Sequence, residues 1–131
     1  MSVQLAVATR NAKLEAIETE IGTDPTLEIR TGAQPANCAA ADAGSLLATL
    51  TLPADWLAAA ASGQKAKNGT WSGTASGAGT AAHFRIKSSG GVCKVQGSIG
   101  QGSGDLSLDN TNIANGQTIT VSSFTLTEGN A

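Results

Sequence analysis

The chain has 131 residues, 40% of them hydrophobic and only 14% charged, with a net charge of −2 from eight basic and ten acidic residues. That length fits one domain able to bury a core without metal or disulfide staples. The scattered Lys and Arg argue against a nucleic-acid partner, which a clustered basic patch would announce. No apolar run approaches the roughly 18 residues of a membrane span. Two Trp, two Phe and no Tyr leave Leu, Ile and Val to build a slim core, and sixteen Gly predict short strands joined by tight turns.

Residues 1–8 read as a mildly apolar arm. They lack the basic segment and long apolar run of a secretory signal, so residence in a reducing cytoplasm is expected, with Cys38 and Cys93 as free thiols. A disulfide between them is formally available but not favoured by that compartment. Residues 9–131 form the expected domain, opening with a helix over 10–21. Thr9 is its N-cap, Leu14, Ile17 and Ile21 its apolar stripe, and Gly22 its stop. Lys13, Glu15, Glu18 and Glu20 lie off the stripe.

The remainder reads as strands. Leu27 and Ile29 share one face of 26–31, with Glu28 and Arg30 opposite. An Ala-rich loop covers 32–44. Leu46, Ala48, Leu50 and Leu52 then alternate with Leu47, Thr49 and Thr51 until Pro53. Trp56 and Leu57 anchor a short helical turn at 54–61, and 62–68 is a polar, basic connection. Further strands follow at 70–75 with Trp71, at 82–88 with Phe84 and Ile86 inward and His83, Arg85 and Lys87 outward, at 92–99, and at 105–109. In 118–127, Ile119 and Val121 share one phase while Phe124 and Leu126 take the other, so Ser122 and Ser123 mark a bulge or a strand changing sheets. About seven short strands between Gly-rich turns make the fold mainly β: an antiparallel β-sandwich or jelly-roll-like barrel with one N-terminal α-helix.

The side chains offer no reactive constellation, so no catalytic, cofactor-binding or metal-ligating residue is predicted. His83, the single histidine, falls on an outward face beside Arg85 and Lys87. Cys38 and Cys93 are far apart in sequence without a Cys-x-x-Cys pair, so zinc spacing is absent. Cys93 shares a face with Val95 and Ile99, which fits a buried inert thiol better than a nucleophile. The Gly clusters at 73–79 and 97–104 lead into no helix and carry no phosphate-binding Lys. Asp105, Asp109, Asn110, Asn112 and Asn115 supply oxygens without calcium-loop spacing and read as turn residues.

Several phrases carry a resemblance. Thr9-Arg10-Asn11-Ala12 opens the helix; Leu27-Glu28-Ile29-Arg30-Thr31-Gly32-Ala33, Gly44-Ser45-Leu46-Leu47-Ala48, Gly79-Thr80-Ala81-Ala82-His83-Phe84-Arg85 and Val95-Gln96-Gly97-Ser98 follow. Asp105-Leu106, Leu108, Asn110-Thr111 and Ile113 lead to Gly116-Gln117, Ile119 and Val121, and the chain closes on Phe124-Thr125-Leu126-Thr127-Glu128-Gly129-Asn130. Together these phrases resemble small virion structural proteins of tailed bacteriophages, similar in style to capsid decoration or cement proteins. The resemblance implies a β-rich homo-oligomer, dimer or trimer, made in the host bacterial cytoplasm and located in the virion. There it would bind the major capsid protein or other virion proteins. It supplies no contact motif, so the interface is expected at the arm residues Val3, Leu5 and Val7, the loop residues Gln34 and Pro35, and Trp56. Other virion components (head fibre, tail tube, baseplate) and a carbohydrate-binding sandwich are alternatives, the last weakened by the few aromatic residues. An enzyme is not expected.

Overall fold

A computed structural model describes residues 3–128. Met1 and Ser2 of the expected arm, and 129–131 of the expected domain, lie outside that range. The helix, α1 (Val7–Ile21), starts earlier than its sequence signals imply. Its N-cap is Ala6, without a side-chain cap bond, and the Arg10 N–H donates to the Ala6 carbonyl. Thr9 therefore lies inside the first turn, and the arm ends at Ala6 rather than Ala8. Tertiary contacts tie this part of the helix to the rest of the molecule: the Gly63 N–H donates to Asn11 Oδ1 at 2.9 Å, and Lys13 pairs with Glu128 at 3.1 Å. At the other end Gly22, at φ +85°, donates its N–H to the Glu18 carbonyl, the stop that sequence predicts.

Ten strands follow among the described residues: β1 (Thr26–Arg30), β2 (Leu46–Thr51), β3 (Gln64–Ala66), β4 (Ser72–Thr74), β5 (Gly79–Thr80), β6 (His83–Lys87), β7 (Cys93–Gly100), β8 (Leu106–Leu108), β9 (Asn112–Ile113) and β10 (Thr118–Thr127). Seven of them run in the order β2-β1-β6-β7-β8-β10-β3, β4 also pairs with β10, and β5 with β9 forms a separate ribbon. The large sheet curls into a half-barrel, so the molecule is mainly β with one N-terminal helix.

One pairing departs from the antiparallel expectation. β7 and β8 run parallel over Ile99↔Leu106 and Gly100↔Ser107. Parallel neighbours normally need a long crossover. Here the chain doubles back within a few residues, and Asp105 fixes the return by accepting from the Ser98 N–H at 2.9 Å and the Ser98 hydroxyl at 3.0 Å. Gly97 makes room for this. A Cβ there would lie 2.8 Å from the Phe84 ring and 2.9 Å from the Asp105 carboxylate.

The register slips explain where alternation misleads. In β2 the ladder with β1 shifts between Ile29 and Arg30, so Arg30 faces Leu46. Leu47 and Ala48 are then both buried while Leu46 is exposed, against the expected Leu46–Ala48–Leu50 face. In β10 the ladder shifts between Val121 and Ser123, where the sequence places it. That bulge lets one strand serve β4 over 118–120, β8 over 121–124 and β3 over 125–127.

All four aromatic residues join in one core spine. Trp56 packs at a tilt against Trp71 (centroids 6.0 Å, 39°), Trp71 likewise against Phe124 (5.4 Å, 37°), and Phe124 meets Phe84 edge-on (5.6 Å). Residues 54–61 form no helical turn. Trp56 and Leu57 are buried from an extended segment whose Leu57 bridges Lys67, and the Trp56 indole N–H donates to the Gly22 carbonyl. The connection 62–68 is likewise not a plain polar loop, because β3 sits inside it and points Lys65 inward.

Candidate functional site

The half-barrel leaves a window in its wall. β8 is three residues long, so beyond it β7 and β10 lie on either side of a gap rather than in a ladder. Phe84, Val95, Gln96, Asp105, Phe124 and residues 125–127 line a cavity of about 390 Å³ there. The phenyl rings and the Val95 and Leu126 side chains give it an apolar floor, and Asp105, Thr125 and Thr127 a polar rim. The Ile99 N–H donates toward β6 and the Glu128 N–H toward the β3 side. By strand alternation the main-chain groups of Gln96, Thr125 and Thr127 therefore face the gap. No backbone hydrogen bond crosses it among the described residues. α1 spans nearby from Lys13–Glu128 at one end to Glu20–Lys94 at 2.9 Å at the other.

A second arrangement lies on the β1–β6–β7 face. Sequence alternation puts His83 and Arg85 outward into solvent; they are 1% and 2% exposed. The alternation is correct, but loop 32–44 folds over that face. Arg85 holds it, donating to Asp42 Oδ1 at 2.5 Å and through Nη2 to the carbonyls of Asn37, Cys38 and Ala40 at 3.3, 2.9 and 3.0 Å. His83 Nδ1 lies 2.9 Å from the Gly32 carbonyl and therefore carries the proton as donor, and Gln96 Nε2 donates to the Pro35 carbonyl at 2.8 Å. Asp42 also meets Lys87 at 2.8 Å and Arg30 at 3.3 Å. Hydrogen bonding from Lys87, against some desolvation and with Arg85 and Arg30 adding to it, pulls the Asp42 carboxyl down to about 2.

The same loop carries Cys38 to the start of β7, where the Cys38 and Cys93 sulfurs lie 2.6 Å apart, both half-buried. Burial and the neighbouring Cys38 push the Cys93 thiol up to about 11, although Arg85 acts the other way. His83 pairs with Ser98 and Cys93 with Lys87, at opposite ends of the β6–β7 ladder. That separation, roughly 13 Å at 3.3 Å per residue, keeps them from acting as base and nucleophile. Asp109 and Asn110 turn their side-chain oxygens onto the backbone N–H groups of Asn110, Thr120 and Asn112, as turn residues do. Among the described residues no group of three or more His, Cys, Asp or Glu is placed to hold a metal ion.

The expected interface residues scatter. Val3 is 80% exposed and Val7, now in α1, 48%. Leu5 is half-buried. Gln34 is exposed and Pro35 half-buried on the loop. Trp56 is fully buried and belongs to the core spine, so it presents no surface to a partner. Sequence reasoning missed the window, because which strand stops short is a matter of pairing. It also missed the Arg85–Asp42 clasp, for which the lone acidic residue in an Ala-rich loop was the available signal. The sequence matches no protein-family model, no curated protein and no solved structure.

Proposed function

We propose that this chain is a structural protein of a phage particle, cementing the major capsid protein lattice through non-covalent contacts as a homo-oligomer of two or three copies. The observation that carries the reading is the window between β7 and β10. It is a concave, apolar-floored socket that main-chain groups face from both sides, the sort of surface a neighbouring subunit's projecting side chain fills. Its chemistry favours one occupant, a Lys or Arg of the capsid subunit. The aliphatic stem would lie on Phe84, Phe124 and Leu126 and the charged tip against Asp105. The exposed Val3 adds a second apolar contact. One socket per copy would contribute little, but repetition over a lattice turns weak contacts into avidity, and binding only the assembled lattice stabilises it by linkage.

The test is location. Particles encoded by the same genome, purified by density gradient, should contain the chain in a fixed stoichiometry to the major capsid protein, with density on the outer capsid surface in a particle reconstruction. Its absence from purified particles, or density in the tail alone, overturns the proposal.

A further inference from the structure

We propose that Cys38 and Cys93 are a built oxidation site, closing to an intramolecular disulfide that staples loop 32–44 to β7 when the chain meets a small-molecule disulfide oxidant. The inference is independent of the assembly reading. Its basis is how the two sulfurs are held. Cys93 is fixed by the β6–β7 ladder opposite Lys87, at a register shift next to Ile86. Cys38 sits in the turn closed by the Ala40 N–H on Asn37, and Arg85 grips the carbonyls on both sides of it and its own. Two rigid backbones thus place the sulfurs 2.6 Å apart, inside ordinary contact distance for unbonded sulfurs and about 0.5 Å from a disulfide bond length.

The chemistry is thiol–disulfide exchange. The Cys38 thiolate attacks one sulfur of oxidised glutathione, forming a mixed disulfide and releasing one glutathione thiolate, which takes up a proton. Cys93 then gives up its proton and attacks the Cys38 sulfur, displacing the second glutathione. Two protein thiols are oxidised and one glutathione disulfide is reduced to two thiols. Burial keeps Cys93 protonated at neutral pH, so it suits the resolving step rather than the first attack. Arg85 neighbours both sulfurs and holds the turn during the exchange.

The experiment equilibrates the full-length purified chain with oxidised or reduced glutathione, followed by alkylation, intact mass and thermal unfolding. The expected result is the covalent mass of a single chain that has lost its two thiol hydrogens, takes up no alkylating agent, and melts about 10 °C above the reduced form. Either Cys38→Ser or Cys93→Ser abolishes that difference while leaving the melting temperature of the reduced chain within a few degrees. Two alkylatable thiols after oxidation, a covalent dimer as the oxidised product, or identical melting in both states overturns the proposal.

Discussion

Asp42 shows how much one side chain on a loop can carry. It faces Arg30, Arg85 and Lys87, and Arg85 is almost wholly out of solvent. A buried guanidinium that loses its carboxylate partner keeps its desolvation cost without the compensating attraction, which typically costs about 3 kcal/mol. Asp42→Asn is therefore expected to lower stability by about 3 kcal/mol in urea denaturation. Asp42→Glu, which keeps the charge, should recover part of it. A loss under about 1 kcal/mol for the Asn variant would mean that the three carbonyls suffice to hold Arg85. None of this is visible in the residue itself, because the sequence shows an acidic residue among alanines and nothing about the face it covers.

At the scale of elements, α1 is joined to the sheet by a clamp rather than by its apolar stripe alone. Leu14 and Ile21 are buried, but Lys65 of β3 is 1% exposed and reaches Glu15 and Glu18 at 2.8 Å each and the Ala58 carbonyl at 2.9 Å. Burial pulls the Lys65 ammonium down, the two carboxylates more than offset it, and its pKa sits above the ordinary 10.5. The two halves of the clamp are not equivalent. Glu15 is half-exposed and can return to water, whereas Lys65 cannot. Glu15→Gln with Glu18→Gln strands a buried ammonium and should cost about 3 kcal/mol, while Lys65→Met fills the same space without a charge and should cost under about 1 kcal/mol. Equal losses from the two, measured by chemical denaturation, would contradict the asymmetry. Legibility follows the same division. The stripe of α1, the alternation of β1 and the bulge at Ser122 were readable because they depend on period alone. The slip that buries Leu47 beside Ala48, the parallel β7–β8 step and the inward Lys65 depend on partners distant in sequence. Periodicity gives a side chain's phase within its strand, but not what lies over that face, and so it puts Arg85 and His83 on the right side of β6 and in the wrong environment. The window was unreadable for a related reason, since it exists because β8 begins only at Leu106 while β7 and β10 extend past that point.

For the whole molecule these groups set a stability plateau with different causes at its two edges. On the acid side Asp42 is held at about 2 against an ordinary 3.8, and Glu15, through Lys65, and Glu20, through Lys94, are also lowered. A depressed carboxyl stabilises the fold above its unfolded pKa, and that contribution is lost as pH falls through the folded one. Stability should thus decline from about pH 4 toward pH 2, with Asp42 accounting for about 1–2 kcal/mol after allowance for its partial exposure. On the alkaline side the first group to act is Cys93, whose folded value of about 11 lies above the ordinary 9.0. A raised acid leaves stability intact below the unfolded pKa and removes it as pH climbs through the folded one, because only the unfolded chain can release the proton. The reduced protein should therefore begin to lose stability near pH 9, by about 2 kcal/mol at pH 11. Lys65 and Lys87, both raised, sustain their contributions until above 10.5. A disulfide has no proton to release, so the oxidised form should hold its plateau until the lysines titrate. Parallel denaturation curves of the reduced and oxidised chain between pH 8 and pH 11 would separate the two edges. If both forms decline together from pH 9, the alkaline limb does not belong to Cys93.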